Sequence, residues 1–151
     1  MFQRAFKGLF YKYFGVAVAH YAKGANAERE LIHLLYDRGF AVVRVAGSGK
    51  TSLPCPDIVA LAPKVKLAFE CKAWGKEHLN ITTAQMDELY KWCARAGAEF
   101  YIAWKVPHKG WLFLPGGFFK KTPKGYAISQ RKALIKHIDL EVIAGLQKRL
   151  K

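Results

Sequence analysis

The chain has 151 residues, enough for one domain with a substantial buried core. Hydrophobic residues make up 52% and charged residues 24%, which excludes an intrinsically disordered protein on composition. The formal net charge is +14, from 25 Lys and Arg against 11 Asp and Glu. This surplus favours a polyanionic partner, because each neutralised phosphate releases condensed counterions. Nucleic acid is a better expectation than an anionic membrane, because the basic residues are spread along the chain.

The predicted elements follow one another without an internal repeat or a linker between domains. The first half has a helix at 23–38, a strand at 40–46, a Gly/Ser/Pro-rich loop at 47–56, and a hairpin of 57–62 and 66–73 that turns near Pro63-Lys64. A connection at 75–81 leads to a helix at 82–96 and to strands at 100–106 and 110–114. A mixed basic segment at 115–138, with a short strand at 126–129, precedes a final helix capped by Asp139. This order predicts a mixed sheet flanked by helices.

Residues 1–22 combine basic and aromatic side chains, and their apolar stretch is shorter than the roughly 18 residues of a membrane span. We interpret them as a basic, aromatic N-terminal arm that precedes one domain at 23–151, and we expect no membrane association. The three cysteines form no C-x-x-C pair, and the five histidines are scattered. A disulfide scaffold and a zinc finger are therefore not expected, and a cytoplasmic protein is the simplest interpretation.

A phosphate-binding loop is suggested at 43–51, VRVAGSGKT, but the pattern fails. A Walker A motif needs a glycine five residues before Gly49, and that position is Arg44. A helix must also follow the loop, and the prolines at 54 and 56 obstruct one. Nucleotide hydrolysis is therefore excluded.

Three charged residues lie within the apolar predicted hairpin. Glu70 and Lys72 share one face of their strand because side chains alternate. If the chain reverses at Pro63-Lys64, Asp57 lies opposite Glu70 and on the same side of the sheet. Two carboxylates placed together repel each other, and an apolar setting raises that cost. Lys72 could neutralise one acid in a structural ion pair, whereas a hard divalent metal such as Mg²⁺ would use both acids and activate water for phosphodiester hydrolysis.

A further carboxylate, Glu28, lies on the apolar stripe of the first predicted helix beside Leu31 and Leu35. Such a residue is either at the edge of the stripe, solvated next to Arg29, or has a partner in the fold. Arg44 similarly interrupts an apolar strand. It is either an edge-strand arginine or a group that faces substrate phosphate.

Pro56-Asp57 followed by Glu70-Cys71-Lys72 resembles the signature of the PD-(D/E)xK nuclease superfamily. The order KGANAERELIHLL, GFAVVRVAGSG, PDIVAL and FECKAW is similar to the archaeal Holliday-junction resolvases, from about residue 23 to residue 104. The resemblance implies a single restriction-endonuclease-like α/β domain with a mixed central β-sheet flanked by helices. It also implies a homodimer that uses Mg²⁺, with Mn²⁺ as a substitute, to introduce paired nicks into four-way DNA junctions.

The same resemblance assigns roles to single residues. The acidic active-site and metal-binding residues would be Glu28, Asp57 and Glu70, the catalytic lysine Lys72, and a loop residue of the catalytic set Ser48. The DNA-binding residues would be Arg29, Arg44, Lys50 and Gln85. Two alternatives stay open, namely another PD-(D/E)xK endonuclease of the repair or restriction type and a paralogue that binds DNA junctions without cutting them.

Overall fold

The computed structural model describes residues 23–45 and 53–146. The predicted arm at 1–22 and the predicted loop residues Ser48 and Lys50 lie outside these ranges. The helices are α1 at 23–36, α2 at Thr83–Ala96, α3 at Gln130–Lys136 and α4 at Leu140–Ile143. The strands are β1 at Ala41–Arg44, β2 at Ile58–Ala62, β3 at Val65–Ala73, β4 at His78–Ile81, β5 at Glu99–Val106, β6 at Gly110–Leu114, β7 at Lys120–Thr122 and β8 at Gly125–Ser129.

The central sheet has five strands in the order β1-β2-β3-β5-β6. All neighbours are antiparallel except β3 and β5, which are parallel because β4 and α2 carry the chain back between them. The predicted hairpin is confirmed in its register, since Ala62 pairs with Val65 and Ile58 pairs with Phe69. Asp57 directly precedes the last pair, and it is close enough to Glu70 for the Glu70 charge to raise its pKa.

Two apolar clusters cover the two faces of this sheet. On β5 the alternating side chains divide between them, with Tyr101 and Ala103 in one cluster and Ile102 and Trp104 in the other. The first cluster is closed by α1 and α4, and the second by α2, α3 and a further small sheet. The mixed sheet flanked by helices is therefore confirmed.

The small sheet, with strand order β4-β8-β7, was not predicted. The assignment of 75–81 to a connection was wrong, because His78–Ile81 form β4 and pair with β8. This strand has only four residues, and its partner is about fifty positions further along the chain, so local pattern gives little signal for it. The short strand predicted at 126–129 is confirmed as β8, and the rest of the basic segment 115–138, which has no assignment from sequence, contains β7 and α3.

Both ends of α2 follow their predicted chemistry. Thr82 caps α2 in a capping box with Gln85, and Gly97 ends the helix in the left-handed conformation at φ 61°. Asp139 lies at the N-cap position of α4, although its side chain makes no capping hydrogen bond there. Within residues 23–45 and 53–146, no helix is both long and apolar enough to cross a membrane.

Candidate active site

The central cluster of the site lies at the open end of the β2–β3 hairpin, away from the turn between Ala62 and Val65. Glu70 and Lys72 are on the α2 side of β3, and Asp57 is the last residue before β2. The Lys72 ammonium donates to Glu70 Oε1 at 2.7 Å, and both side chains are largely buried. The structure thus contains the predicted lysine–glutamate ion pair. It leaves Asp57 as a second carboxylate that this ammonium does not contact directly.

Asp57 is held in place by the backbone of the neighbouring strand. Its Oδ2 accepts a hydrogen bond from the Cys71 amide at 2.7 Å, and its own amide donates to the Phe69 carbonyl at 3.0 Å. Desolvation and the nearby charge of Glu70 raise the pKa of Asp57 from 3.8 to about 6, against the opposing effects of the Cys71 amide and Lys72. An ionised Asp57 is therefore costly in this site unless a cation joins it.

Glu28 and Arg44 occupy the other side of the same sheet end. Arg44 pairs with Ile58, whose side chain belongs to the α1-side core, so Arg44 points towards α1. There its Nε donates to Glu28 Oε2 at 2.7 Å. The interpretation of Glu28 as a residue solvated beside Arg29 is wrong, because Glu28 pairs with Arg44. The Glu28 charge also contributes to the raised pKa of Asp57, which places Glu28 near the central cluster.

The remaining predicted DNA-binding residues of the described ranges have local partners. Arg29 is exposed and donates to Asn26 Oδ1 at 3.0 Å. Gln85 uses its side-chain oxygen in the capping box with Thr82. Neither is joined to the central cluster by a hydrogen bond, so their proposed contacts with DNA stay predictions.

The donor chemistry of the site suits a hard cation. Asp57 and Glu70 together carry two carboxylates against the single ammonium of Lys72, and Mg²⁺ often binds through one or two carboxylates plus substrate phosphate. In the described part of the chain, no three His, Cys, Asp or Glu side chains form a group that could hold a metal ion. Glu28 is engaged by Arg44, and its role as a third ligand stays a prediction.

Cys71 lies between Glu70 and Lys72 on β3, and its side chain faces the α1-side core, away from both of them. Burial raises the pKa of its thiol well above the ordinary value, and the charges of Asp57 and Glu28 raise it further. The thiol is thus kept protonated and packs in the interior. What sequence reasoning missed is its backbone: the Cys71 amide positions Asp57, and no residue pattern reveals such a bond.

A mixed sheet with an E-x-K strand, an aspartate opposite it and a glutamate on the preceding helix defines a nuclease domain of the restriction-endonuclease-like class. Comparisons with known proteins narrow this class. A sequence model described as archaeal Holliday junction resolvase (Hjc) matches residues 19–151. The chain therefore belongs to the Hjc family of archaeal Holliday junction resolvases.

Individual relatives agree with this assignment. The chain is 38% identical over 109 residues to the crossover junction endodeoxyribonuclease Hjc of Archaeoglobus fulgidus, covering 72% of this chain and 80% of the relative. It is 34% identical over 131 residues to the Hjc of Methanocaldococcus jannaschii, covering 87% and 93%. The solved structure of the Archaeoglobus fulgidus Hjc, a Holliday junction resolvase, superposes with a TM-score of 0.72 at 34% identity, covering 82% of this chain and 96% of that one.

Proposed function

We propose that this protein is a structure-specific endonuclease that resolves four-way (Holliday) DNA junctions by hydrolysing phosphodiester bonds. The observation that carries the proposal is the cluster of Asp57, Glu70 and Lys72 at the end of the hairpin, with Lys72 bonded to Glu70 at 2.7 Å. The match to the Hjc family supports the junction as the substrate. Such an enzyme acts on junction DNA, and we therefore expect it inside the cell.

Each member of the cluster has a distinct role in this proposal. Asp57 and Glu70 would hold a divalent cation, Mg²⁺ or Mn²⁺, and that cation would supply an acidified water and neutralise charge on the scissile phosphate. The Lys72 ammonium stabilises negative charge that develops on the phosphate oxygens. The Arg44 guanidinium, held by Glu28 on the α1 side of the sheet end, binds a phosphate of the substrate.

To resolve a four-way junction, an enzyme must cut two of its DNA strands that lie opposite each other. One active site makes one of these cuts. We therefore propose that the active form is a homodimer with one cluster per subunit, as the family resemblance implies. Selection of the junction then comes from backbone contacts and the shape of the branched DNA rather than from base contacts.

The test uses a labelled synthetic four-way junction beside linear duplexes with the same arm sequences, each incubated with Mg²⁺ or with a chelator. The proposal predicts paired, symmetric nicks in the junction alone, only when Mg²⁺ is present. Equal cutting of the linear duplexes would indicate a general endonuclease instead. Tight junction binding without nicks at every Mg²⁺ and Mn²⁺ concentration would indicate a paralogue that binds but does not cut.

A further inference from the structure

Acidic residues are unevenly distributed along the chain, and one basic segment contains none of them. The segment from residue 100 to residue 138 has eight Lys or Arg residues and no Asp or Glu. All 11 acidic residues of the protein therefore lie elsewhere. Besides parts of the five-stranded sheet, this segment includes α3 and the strands β7 and β8 of the small sheet.

Six of these eight basic residues are exposed and lie on or beside the consecutive elements β7, β8 and α3, and we name this set the β7–α3 patch. It consists of Lys120, Lys121, Lys124, Arg131, Lys132 and Lys136. Among the described residues, none of the six has an ion-pair partner. By contrast, Arg38, Lys72 and Lys105 each pair with a glutamate. The positive charge of the patch is therefore uncompensated within the described protein.

The patch is attached to the connection between β3, the strand of Glu70 and Lys72, and β4. The Gln130 amide at the start of α3 donates to the Glu77 carbonyl at 2.7 Å, and the Gln130 side chain donates to the Lys76 carbonyl at 3.2 Å. Lys76 is only four residues beyond Lys72. At the other end of β8, the backbone of Gly125 approaches Ile81 so closely that a Cβ would lie 2.4 Å from the Ile81 carbonyl oxygen. The six charges are thus presented by fixed elements.

The size and chemistry of the patch fit a length of DNA backbone. Lys124 and Arg131 flank β8, seven residues apart, which corresponds to roughly 20 Å along an extended strand. Duplex DNA carries about one charge per 1.7 Å of its axis, so this length faces several phosphates and not only the scissile one. Five of the six residues are lysines, which act as point charges towards phosphate and do not provide the bidentate geometry that reads bases.

We propose that the β7–α3 patch binds the sugar–phosphate backbone of a duplex arm of the substrate, outside the scissile site. This inference rests on the proposed function for the identity of the substrate. The patch contributes affinity that is independent of sequence and positions the arm relative to Lys72. It takes no part in the hydrolysis itself.

The test compares two triple variants that change the net charge equally. The patch variant is K120Q/K121Q/K124Q. The matched control, K64Q/K66Q/R95Q, removes three charges at the opposite end of the hairpin, where the Lys66 ammonium contacts the Ala96 carbonyl. A second patch variant, R131Q/K132Q/K136Q, must behave like the first. Thermal unfolding establishes that every variant is folded. The affinity of each variant for the junction is then measured at several salt concentrations, with a chelator present so that the junction is not cut.

Each phosphate contact contributes about 0.9 to the slope of log affinity against log salt. We expect each patch variant to lower this slope by about 2 to 3 and to weaken binding at least about tenfold near 0.1 M salt, while the control changes the slope by less than about 1. Single-turnover cleavage with saturating enzyme and Mg²⁺ should stay within about twofold of the unsubstituted protein for all of them, because arm binding does not enter the chemical step.

Equal slopes for patch and control variants would overturn the inference, since the position of the charges would then not matter. A cleavage rate at saturation that falls more than about tenfold in a folded patch variant would also overturn it, because the patch would then act in the chemistry. Cutting by the unsubstituted protein is scored separately. If that protein binds the junction but does not cut it, the proposed function fails while the slope comparison still decides the patch.

Discussion

Replacing Asp57 with Asn removes a carboxylate that the fold disfavours but the proposed reaction requires. Asp57 lies in a desolvated position beside Glu70, and these two effects raise its pKa to about 6. Asn has nearly the same shape and keeps an oxygen that can accept the hydrogen bond from the Cys71 amide. The substitution therefore removes the charge with little change in packing.

The pH dependence of this effect has a defined sign. The folded protein holds the Asp57 proton more tightly than the unfolded chain, so the unfolding free energy falls as the pH rises from 3.8 to about 6 and is then constant. One pKa unit corresponds to about 1.4 kcal/mol, so the cost of ionised Asp57 above pH 6 is at most about 3 kcal/mol. Asp57→Asn should remove that cost above pH 6 and have little effect below pH 4.

The assay is thermal or urea unfolding in a chelator at pH 7.5 and at pH 4, for the unsubstituted protein, Asp57→Asn and the control Asp87→Asn. Asp87 is an exposed residue of α2, so its substitution should leave the stability nearly unchanged at both pH values. For a chain of this length, 1 kcal/mol shifts the melting temperature by about 2–4 °C, so a rise on the order of 5 °C is expected for Asp57→Asn at pH 7.5.

Two results would refute the reasoning about Asp57. A melting temperature at pH 7.5 equal to or below that of the unsubstituted protein would mean that the carboxylate is not disfavoured. A gain of the same size at pH 4 would mean that ionisation is not its cause. Adding Mg²⁺ should stabilise the unsubstituted protein and not Asp57→Asn, because the cation is proposed to bind the ionised carboxylate.

Three further substitutions test other parts of the structure. Glu70→Gln should abolish junction cleavage while junction affinity in a chelator stays within about twofold, because it removes a proposed metal ligand but no positive charge. Arg44→Ala should weaken junction binding and lower its salt slope by about 1, as salt-dependent binding assays would reveal. Gly125→Ala should lower the melting temperature, since a Cβ there meets the Ile81 carbonyl oxygen and φ is +136°. A cost of at least about 2 kcal/mol is expected, and an unchanged melting temperature would contradict the close approach.

The central part of the site could be predicted because it depends on local rules. A turn at Pro63-Lys64 fixes the register of a hairpin, and the two-residue period of a strand then places Asp57 opposite Glu70 and Lys72 beside it. The caps of α2 are equally local, since Thr82 and Gly97 act within one turn of the helix ends. The observed register and helix ends agree with these predictions.

Other features could not be predicted because they join distant parts of the chain. The Arg44–Glu28 pair brings together a strand and a helix, and no spacing in the sequence shows that Glu28 would bind Arg44 rather than remain in solvent beside Arg29. The strand β4 exists because β8 lies next to it. Its four residues do alternate between exposed and buried positions, but such a short pattern is common in loops.

The most direct measurement of the central claim is single-turnover cleavage of a labelled four-way junction by Asp57→Asn beside the control Asp87→Asn, in Mg²⁺. Loss of residues that merely support metal ligands typically costs 10- to 100-fold, so loss of a ligand itself should cost about a hundredfold or more. We predict that Asp57→Asn binds the junction but cuts it at least about a hundredfold more slowly, whereas Asp87→Asn cuts at the rate of the unsubstituted protein. A folded Asp57→Asn protein that cuts at that same rate would contradict the assignment of Asp57, Glu70 and Lys72 as the catalytic cluster.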